Sequence, residues 1–229
     1  MSTDDLRGLG PLATVDVRLP ESGAVYRITR PTDVDRLIDA MADDPEENLP
    51  HWAEVWPSGI ALADAILAEP ELVRGRRVLE LGCGLGTTAI AALQAGAHVT
   101  VSDYASGALA LCRHNARLNA GREPVAVQVN WRSPSDEFLT LAGDGFAVVL
   151  AADVLYEARD IEPLLALVEC IVAPGGLLWL AEPGRPIARE FVKRTVDHMW
   201  RVERRVHTGP WIDERSAVVD VTVYRLFRR

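Results

Sequence analysis

Three glycines at alternate positions, Gly82, Gly84 and Gly86, sit where a strand-forming run, Arg77 to Leu81, gives way to a helical pattern from Thr87. Glycine in such a turn admits backbone angles closed to other residues and lets a ligand approach the main chain. Glu80 precedes the first glycine by two residues, and Asp103 follows the next strand-like run, His98 to Ser102. Asn130-Trp131 follows a third run, Val125 to Val129, and Asp153-Val154-Leu155-Tyr156 follows a fourth, Ala147 to Ala151. Carboxylates, an amide, an indole and a phenol thus fall at successive strand ends, where open α/β sheets gather their ligands.

The glycine spacing separates two classes of ligand. A dinucleotide turn reads G-x-G-x-x-G and aims a helix N-terminus at a pyrophosphate. Here the third glycine comes one place early, Thr87 stands where that motif needs glycine, and the charge of Glu80 would repel a pyrophosphate. S-adenosylmethionine (SAM) has no phosphate and carries a sulfonium and an ammonium group, which an acidic neighbour suits. The residues therefore favour SAM, with S-adenosylhomocysteine as product. Gly82, Cys83, Gly84 and Gly86 are the expected floor, with Glu80 beside them. Asp103, with Tyr104 next to it, is expected to hold the ribose hydroxyls, and Asn130 and Trp131 to read and cover the adenine. Asp103 has a second, compatible reading as N-cap of a helix beginning at Ala105.

Methyl transfer from a sulfonium is an in-line displacement, so the protein mainly positions the reactants and excludes water. Asp153 and Tyr156 are the candidate catalytic pair, accepting the N–H bonds of an amine and fixing its direction. The alternative gives Asp153 to a helix cap and Tyr156 to the core. Trp52 and Trp56 flank Glu54 ahead of the first core helix, and Trp56 is read either as packing or as a wall of the cofactor site. The five histidines show no ligand spacing, so no metal is expected. There is no G-x-S-x-G elbow and no P-loop lysine.

The elements that must position these groups alternate. Helices are expected over 60–67 (N-cap Ser58), 87–95 (ended by Gly96), 105–119, 161–172 and 187–200. A Pro174-Gly175-Gly176 turn leads into a strand at 177–180, and runs 201–206 and 217–226 close the chain as a hairpin. That order implies an α/β, Rossmann-like, mostly parallel sheet with helices on both faces and one antiparallel strand. Two β-like pieces at 13–17 and 24–28, joined by Glu21-Ser22-Gly23, precede a helix carrying Val34, Leu37, Ile38 and Met41 and closed by Asp44-Pro45. Residues 1–49 read as an extension, and 50–229 as the main domain.

A chain of 229 residues, 48% hydrophobic and 25% charged, can bury a core without disulfides or metals. Three dispersed cysteines without a C-x-x-C pair fit a reducing compartment, with the cytoplasm as the default address. No secretory signal or membrane-length apolar run stands out. A net charge of −9 argues against general nucleic-acid binding. From Arg185 onward 11 basic residues face 6 acidic ones, a basic stretch read as solvated faces or as a surface for an acidic partner. Lys193 is the only lysine.

With these residues in place, the chain resembles the seven-strand SAM-dependent methyltransferases, and within them the group that includes protein-lysine methyltransferases. The resemblance spans about Pro50 to Pro186 and rests on Trp-Ala-Glu-Val-Trp-Pro-Ser-Gly, Leu-Glu-Leu-Gly-Cys-Gly-Leu-Gly, Asp103, Trp131 and Ala-Asp-Val-Leu-Tyr, in that order. It implies cofactor contacts from Trp56, Gly82 to Gly84, Asp103, Trp131 and Ala152, and a D-x-x-Y element at Asp153 and Tyr156. Glu182-Pro183-Gly184-Arg185-Pro186 is similar to the Asp-Pro-Gly-Arg-Pro stretch of the electron-transfer flavoprotein β-subunit lysine methyltransferases, with Glu182 replacing the aspartate. The implied activity is N-methylation of a protein lysine, by a monomer or weak homo-oligomer acting on a protein partner, without nucleic acid or membrane. A small-molecule methyltransferase and a SAM-binding module without turnover stand as alternatives.

Overall fold

The computed structural model describes residue 6 and residues 8–40, 49–211 and 219–229. An antiparallel pair, β1 (Leu12–Arg18) and β2 (Val25–Pro31), comes first, in a register that sets Val15 opposite Ile28. Helix α1 (Val34–Ala40) follows; Met41 and Asp44-Pro45, expected to finish and close it, lie outside the described residues. After a 3-10 turn at His51–Ala53 come α2 (Pro57–Ala68), β3 (Arg77–Leu81), α3 (Thr87–Gln94), β4 (His98–Asp103), α4 (Ser106–Ala120) and β5 (Val125–Gln128). The chain continues through α5 (Asp136–Ala142), β6 (Phe146–Ala152), α6 (Ile161–Ile171), β7 (Val172–Glu182), α7 (Pro186–Asp197), β8 (Arg201–Thr208) and β9 (Asp220–Phe227).

Seven of the strands form one sheet in the order β5-β4-β3-β6-β7-β9-β8. Strands β3 to β7 pair in parallel, and β9 runs antiparallel to both of its neighbours. The chain order reverses between β3 and β6, so the loops after those strands diverge and leave a crevice above them.

Strand alternation divides the core into two layers. Val78, Val148, Leu150 and Trp179 face one way, against α2, α3 and α4. Leu79, Leu81, Val149, Leu178 and Leu180 face the other, against α6 and α7. Both sets are at most 1% exposed, which explains why β6 is apolar throughout.

The β1–β2 pair is tied to α4 by two asparagines one helical turn apart. Asn115 accepts the Thr29 N–H at 2.8 Å and donates to the Thr29 carbonyl at 3.0 Å; Asn119 does the same for Arg27 at 2.8 and 2.9 Å. Each side-chain amide thus stands in for a strand backbone along the edge of β2. Asp64 of α2 fixes the hairpin tip, accepting the N–H groups of Glu21 and Ser22 at 2.9 Å each and the Ser22 hydroxyl.

Several sequence expectations need correction. Ser58 does not cap its helix: α2 begins at Pro57, with Trp56 at the cap position and Ser58 fully buried. Proline at the first helical position has no N–H to satisfy, so it starts the helix one turn earlier. Pro174-Gly175-Gly176 is a bulge within β7 rather than a turn before it. Residues 173–176 on β7 oppose Ala147 alone on β6, and Gly175 and Gly176 bond instead to Arg228. The last helix stops at Asp197, and Trp200 lies beyond it. Helix α5, absent from the expectations, is capped by Ser135, whose hydroxyl accepts the Phe138 N–H.

Candidate active site

The glycine turn is shaped by backbone angles and close packing. Gly82, Gly84 and Gly86 have φ of 63°, 48° and 84°. A Cβ on Gly82 would stand 3.1 Å from Val154 and 3.5 Å from the Trp131 ring; one on Gly86 would stand 2.7 Å from Cys112 Sγ. The turn is fastened to β4 by Cys83 N–H to the Ser102 carbonyl at 3.0 Å and by Gly84 N–H to Asp103 Oδ2 at 3.0 Å. Asp103 Oδ1 accepts the Ala105 N–H at 3.0 Å. The cap position of α4 is therefore Ala105 itself, and Asp103 serves as a strut between the glycine turn and the start of that helix. Burial pushes the Asp103 carboxyl up to about 6, although backbone N–H groups of Gly84, Ala105 and Tyr104 pull against that rise.

Glu80 lies on the same side of β3 as α3 and is 2% exposed. Burial holds its carboxyl well above the ordinary carboxylate range, opposed by the Thr88 hydroxyl and the Ala89 N–H, while nearby Asp103 raises it further. One of its oxygens, Oε2, is buried without a hydrogen-bond partner. Without a ligand the carboxyl beside the turn is therefore biased toward its neutral form.

Asp153 stands one residue past β6 with φ of 57°, a left-handed conformation uncommon outside glycine. Its N–H bonds to the Ala181 carbonyl at 2.9 Å, extending the β6–β7 ladder before the chain turns away. It caps no helix; α6 starts only after Asp160. Arg185 Nη2, from the loop after β7, lies 2.8 Å from Asp153 Oδ1. Burial raises the Asp153 carboxyl, and Arg185, followed by His51, acts to lower it. Glu182 anchors that loop by accepting the Arg185 N–H at 2.7 Å.

Tyr156 is half-buried, and its phenol is pushed up to about 12, chiefly by burial and then by Asp160. Its ring meets that of His51 edge-on at 5.5 Å, and His51 meets Trp56 edge-on at 5.9 Å. Trp56 Nε1 donates to the His51 carbonyl at 2.8 Å, so the Trp-Pro-Ser-Gly entry to α2 and the 3-10 turn form one unit. Arg132 bonds Asp160 through Nε at 2.7 Å, and the Asn130 side chain accepts the Arg132 N–H at 3.0 Å.

Every residue singled out from the sequence borders one cleft at the β3/β6 crevice: Trp56, Glu80, Gly82, Cys83, Gly84, Gly86, Asp103, Tyr104, Asn130, Trp131, Ala152, Asp153 and Tyr156. The cleft holds about 1130 Å³, counting solvent at its mouth. His51, Thr88 and Arg132 also line it, although no sequence signal marks them, and so does Trp52, the other of the two tryptophans that flank Glu54. The spacing of the histidines bears only on metal binding and gives His51 no mark. Its position beside a Trp-x-x-x-Trp element was the available clue. Among the described residues no group of histidine, cysteine or carboxylate side chains is arranged to hold a metal.

A cleft at the switch point of a seven-stranded sheet with one antiparallel strand is the architecture of a Rossmann-like methyltransferase core. The family model for lysine methyltransferases matches residues 46–194, well over half of the chain, and the chain belongs to that family. Among its relatives, the rat electron transfer flavoprotein beta subunit lysine methyltransferase is 32% identical over 151 residues, covering 65% of this chain and 55% of that protein. A mouse histone-arginine methyltransferase is 31% identical over 116 residues, covering 50% of this chain and 45% of its own length. The chain spans about half the length of the relatives it matches. Among solved structures, the magnesium protoporphyrin IX methyltransferase of Synechocystis with bound SAM superposes with a TM-score of 0.57 at 16% identity, covering 86% of this chain and 97% of that one, a likeness of fold. Members of that family use SAM as cofactor.

Proposed function

We propose that this chain transfers a methyl group from SAM to the side-chain nitrogen of a protein lysine. The observation that supports the reading is that Asp153 and Tyr156 line the same cleft as the glycine turn. The residues fit the cofactor on structural grounds. A Cβ on Gly82 would crowd Val154, Glu80 keeps a buried oxygen without a partner, and Asp103 lines the cleft.

When bound, SAM supplies an electrophilic methyl group on a sulfonium. Asp103 would accept the ribose hydroxyls while its bonds to Gly84 and Ala105 keep its orientation. Trp131, Asn130 and Tyr104 would enclose the adenine, and Trp56 and Ala152 would close the cleft on the methionine side. Glu80 would face cationic charge, which draws a buried carboxyl toward its ionised form. Asp153 and Tyr156 would accept the N–H bonds of the incoming amine and aim its lone pair. At about 12 the phenol stays protonated at neutral pH, so Tyr156 orients the amine without serving as a base. The electron transfer flavoprotein and histone names of the relatives make a protein acceptor the leading choice, and the free cysteines, two of them buried, suit a reducing compartment.

The test is Asp153→Ala, assayed for SAM binding by calorimetry and for transfer by labelled SAM. Transfer should fall by at least about 100-fold with SAM affinity within a few-fold of the parent. Unchanged transfer would refute the role of Asp153, and absence of SAM binding by the parent would refute the reading as a whole.

A further inference from the structure

A lysine side chain carries a proton at neutral pH, with an ordinary pKa of about 10.4, and its nitrogen has no lone pair until that proton leaves. The polar groups around the cleft are mostly committed. The Tyr156 phenol is held protonated, and Asp153 is paired with Arg185. Asp103 holds the backbone of the glycine turn, and Glu80 is buried against the start of α3. Glu54 is paired with Arg30, and Arg132 with Asp160 and Glu157.

His51 is differently placed. Its ring is exposed, borders the cleft, touches Tyr156 edge-on at 5.5 Å and lies within electrostatic reach of Asp153. The bond from Trp56 Nε1 to its carbonyl fixes the turn that carries it. The charged and titratable groups bordering the cleft around it are Glu54 from its own segment, Arg132 from the loop after β5, and Asp153 and Tyr156 from the loop after β6.

Resting on the reading of this cleft as an amine methyltransferase site, we propose that His51 is a further catalytic residue, the group that takes the proton from the acceptor ammonium. The ammonium N–H bond breaks and an imidazole N–H bond forms, leaving a lone pair on the amine held by Asp153 and Tyr156. The new N–C bond then forms as the S–C bond breaks. That electron pair stays on sulfur, giving the neutral thioether of the product. The imidazolium, at the open mouth, returns its proton to water. Histidine suits this duty because a neutral imidazole nitrogen carries a lone pair that can accept the proton and later release it to water.

The experiment compares the parent with His51→Phe, which keeps an aromatic ring against Tyr156 and Trp56 but cannot take a proton. Initial rates of label transfer from SAM into the protease-sensitive fraction of a cell-protein extract are measured from pH 6 to 9, alongside SAM affinity. The variant should be slower by at least about tenfold at pH 7, should recover about tenfold per pH unit toward the parent's rate, and should respond to added imidazole. Its SAM affinity should stay within about twofold. Coincident pH profiles, or a uniform loss at every pH, overturn the role of His51 alone. Failure of the parent to label protein overturns the lysine reading, and this inference with it.

Discussion

Arg185 Nη2 stands 2.8 Å from Asp153 Oδ1, so the loop that follows β7 grips the loop that follows β6 beside the cleft that Asp153 lines. The Asp153 side chain is only 7% exposed, and Arg185 is the chief influence holding down a carboxyl that burial raises. The guanidinium therefore favours the ionised carboxylate that an amine substrate needs, and it restrains a backbone that has already adopted a left-handed angle.

Replacing Arg185 by methionine removes that influence and should raise the Asp153 carboxyl further. Folded-state ionisation would then need higher pH, so the acid limb of the transfer rate should move upward. At pH 7 the rate should drop about tenfold or more, with SAM affinity nearly unchanged. A pH–rate profile of the variant checks this, since simple loss of packing would scale the profile without moving its limb.

Asp103 predicts a pH dependence for cofactor binding. Its carboxyl titrates at about 6 in the folded chain, whereas its ordinary value is 3.8. Because the folded value is raised, this group costs the fold stability as pH climbs from 3.8 through 6. Ribose hydroxyls donate to the ionised form, so SAM binding should weaken as pH falls below about 6, by up to tenfold per pH unit. Calorimetric titrations between pH 5 and 8 should show that slope for the parent. Asp103→Asn should bind weakly and without the slope.

Asn115 is fully buried and bonds three backbone groups: the N–H and carbonyl of Thr29 in β2, and the Leu85 carbonyl of the glycine turn at 3.0 Å. Asn115→Ala would strand the Thr29 N–H and two carbonyls. The expected loss is about 2–4 kcal/mol in urea denaturation. SAM affinity should fall as well, because the turn loses its tether.

The parallel core was legible because β3, β4 and β6 are short apolar or alternating runs whose ends carry Glu80, Asp103 and Asp153. Strand-end position alone was enough to gather those residues at one crevice. Helix α5 escaped notice because seven residues give too few turns for a periodic stripe, and Leu139 and Leu141 are exposed. The bulge in β7 depends on the partner Arg228, far along the chain. The Arg185–Asp153 pair and the ring contact of His51 with Tyr156 join distant segments, and no local pattern encodes them. The burial that biases Glu80 toward its neutral form is likewise a property of the packed core.

The central claim, transfer to a protein lysine, is tested most directly by incubating the chain with methyl-labelled SAM and a cell-protein extract, then identifying the labelled residue after acid hydrolysis. Lys193 is the only lysine in the chain, so Lys193→Arg removes any lysine self-labelling from the background. Label should appear in protease-sensitive material, be recovered as methyllysine and be lost with Asp153→Ala. Label recovered as methylarginine, or confined to small molecules, would contradict it.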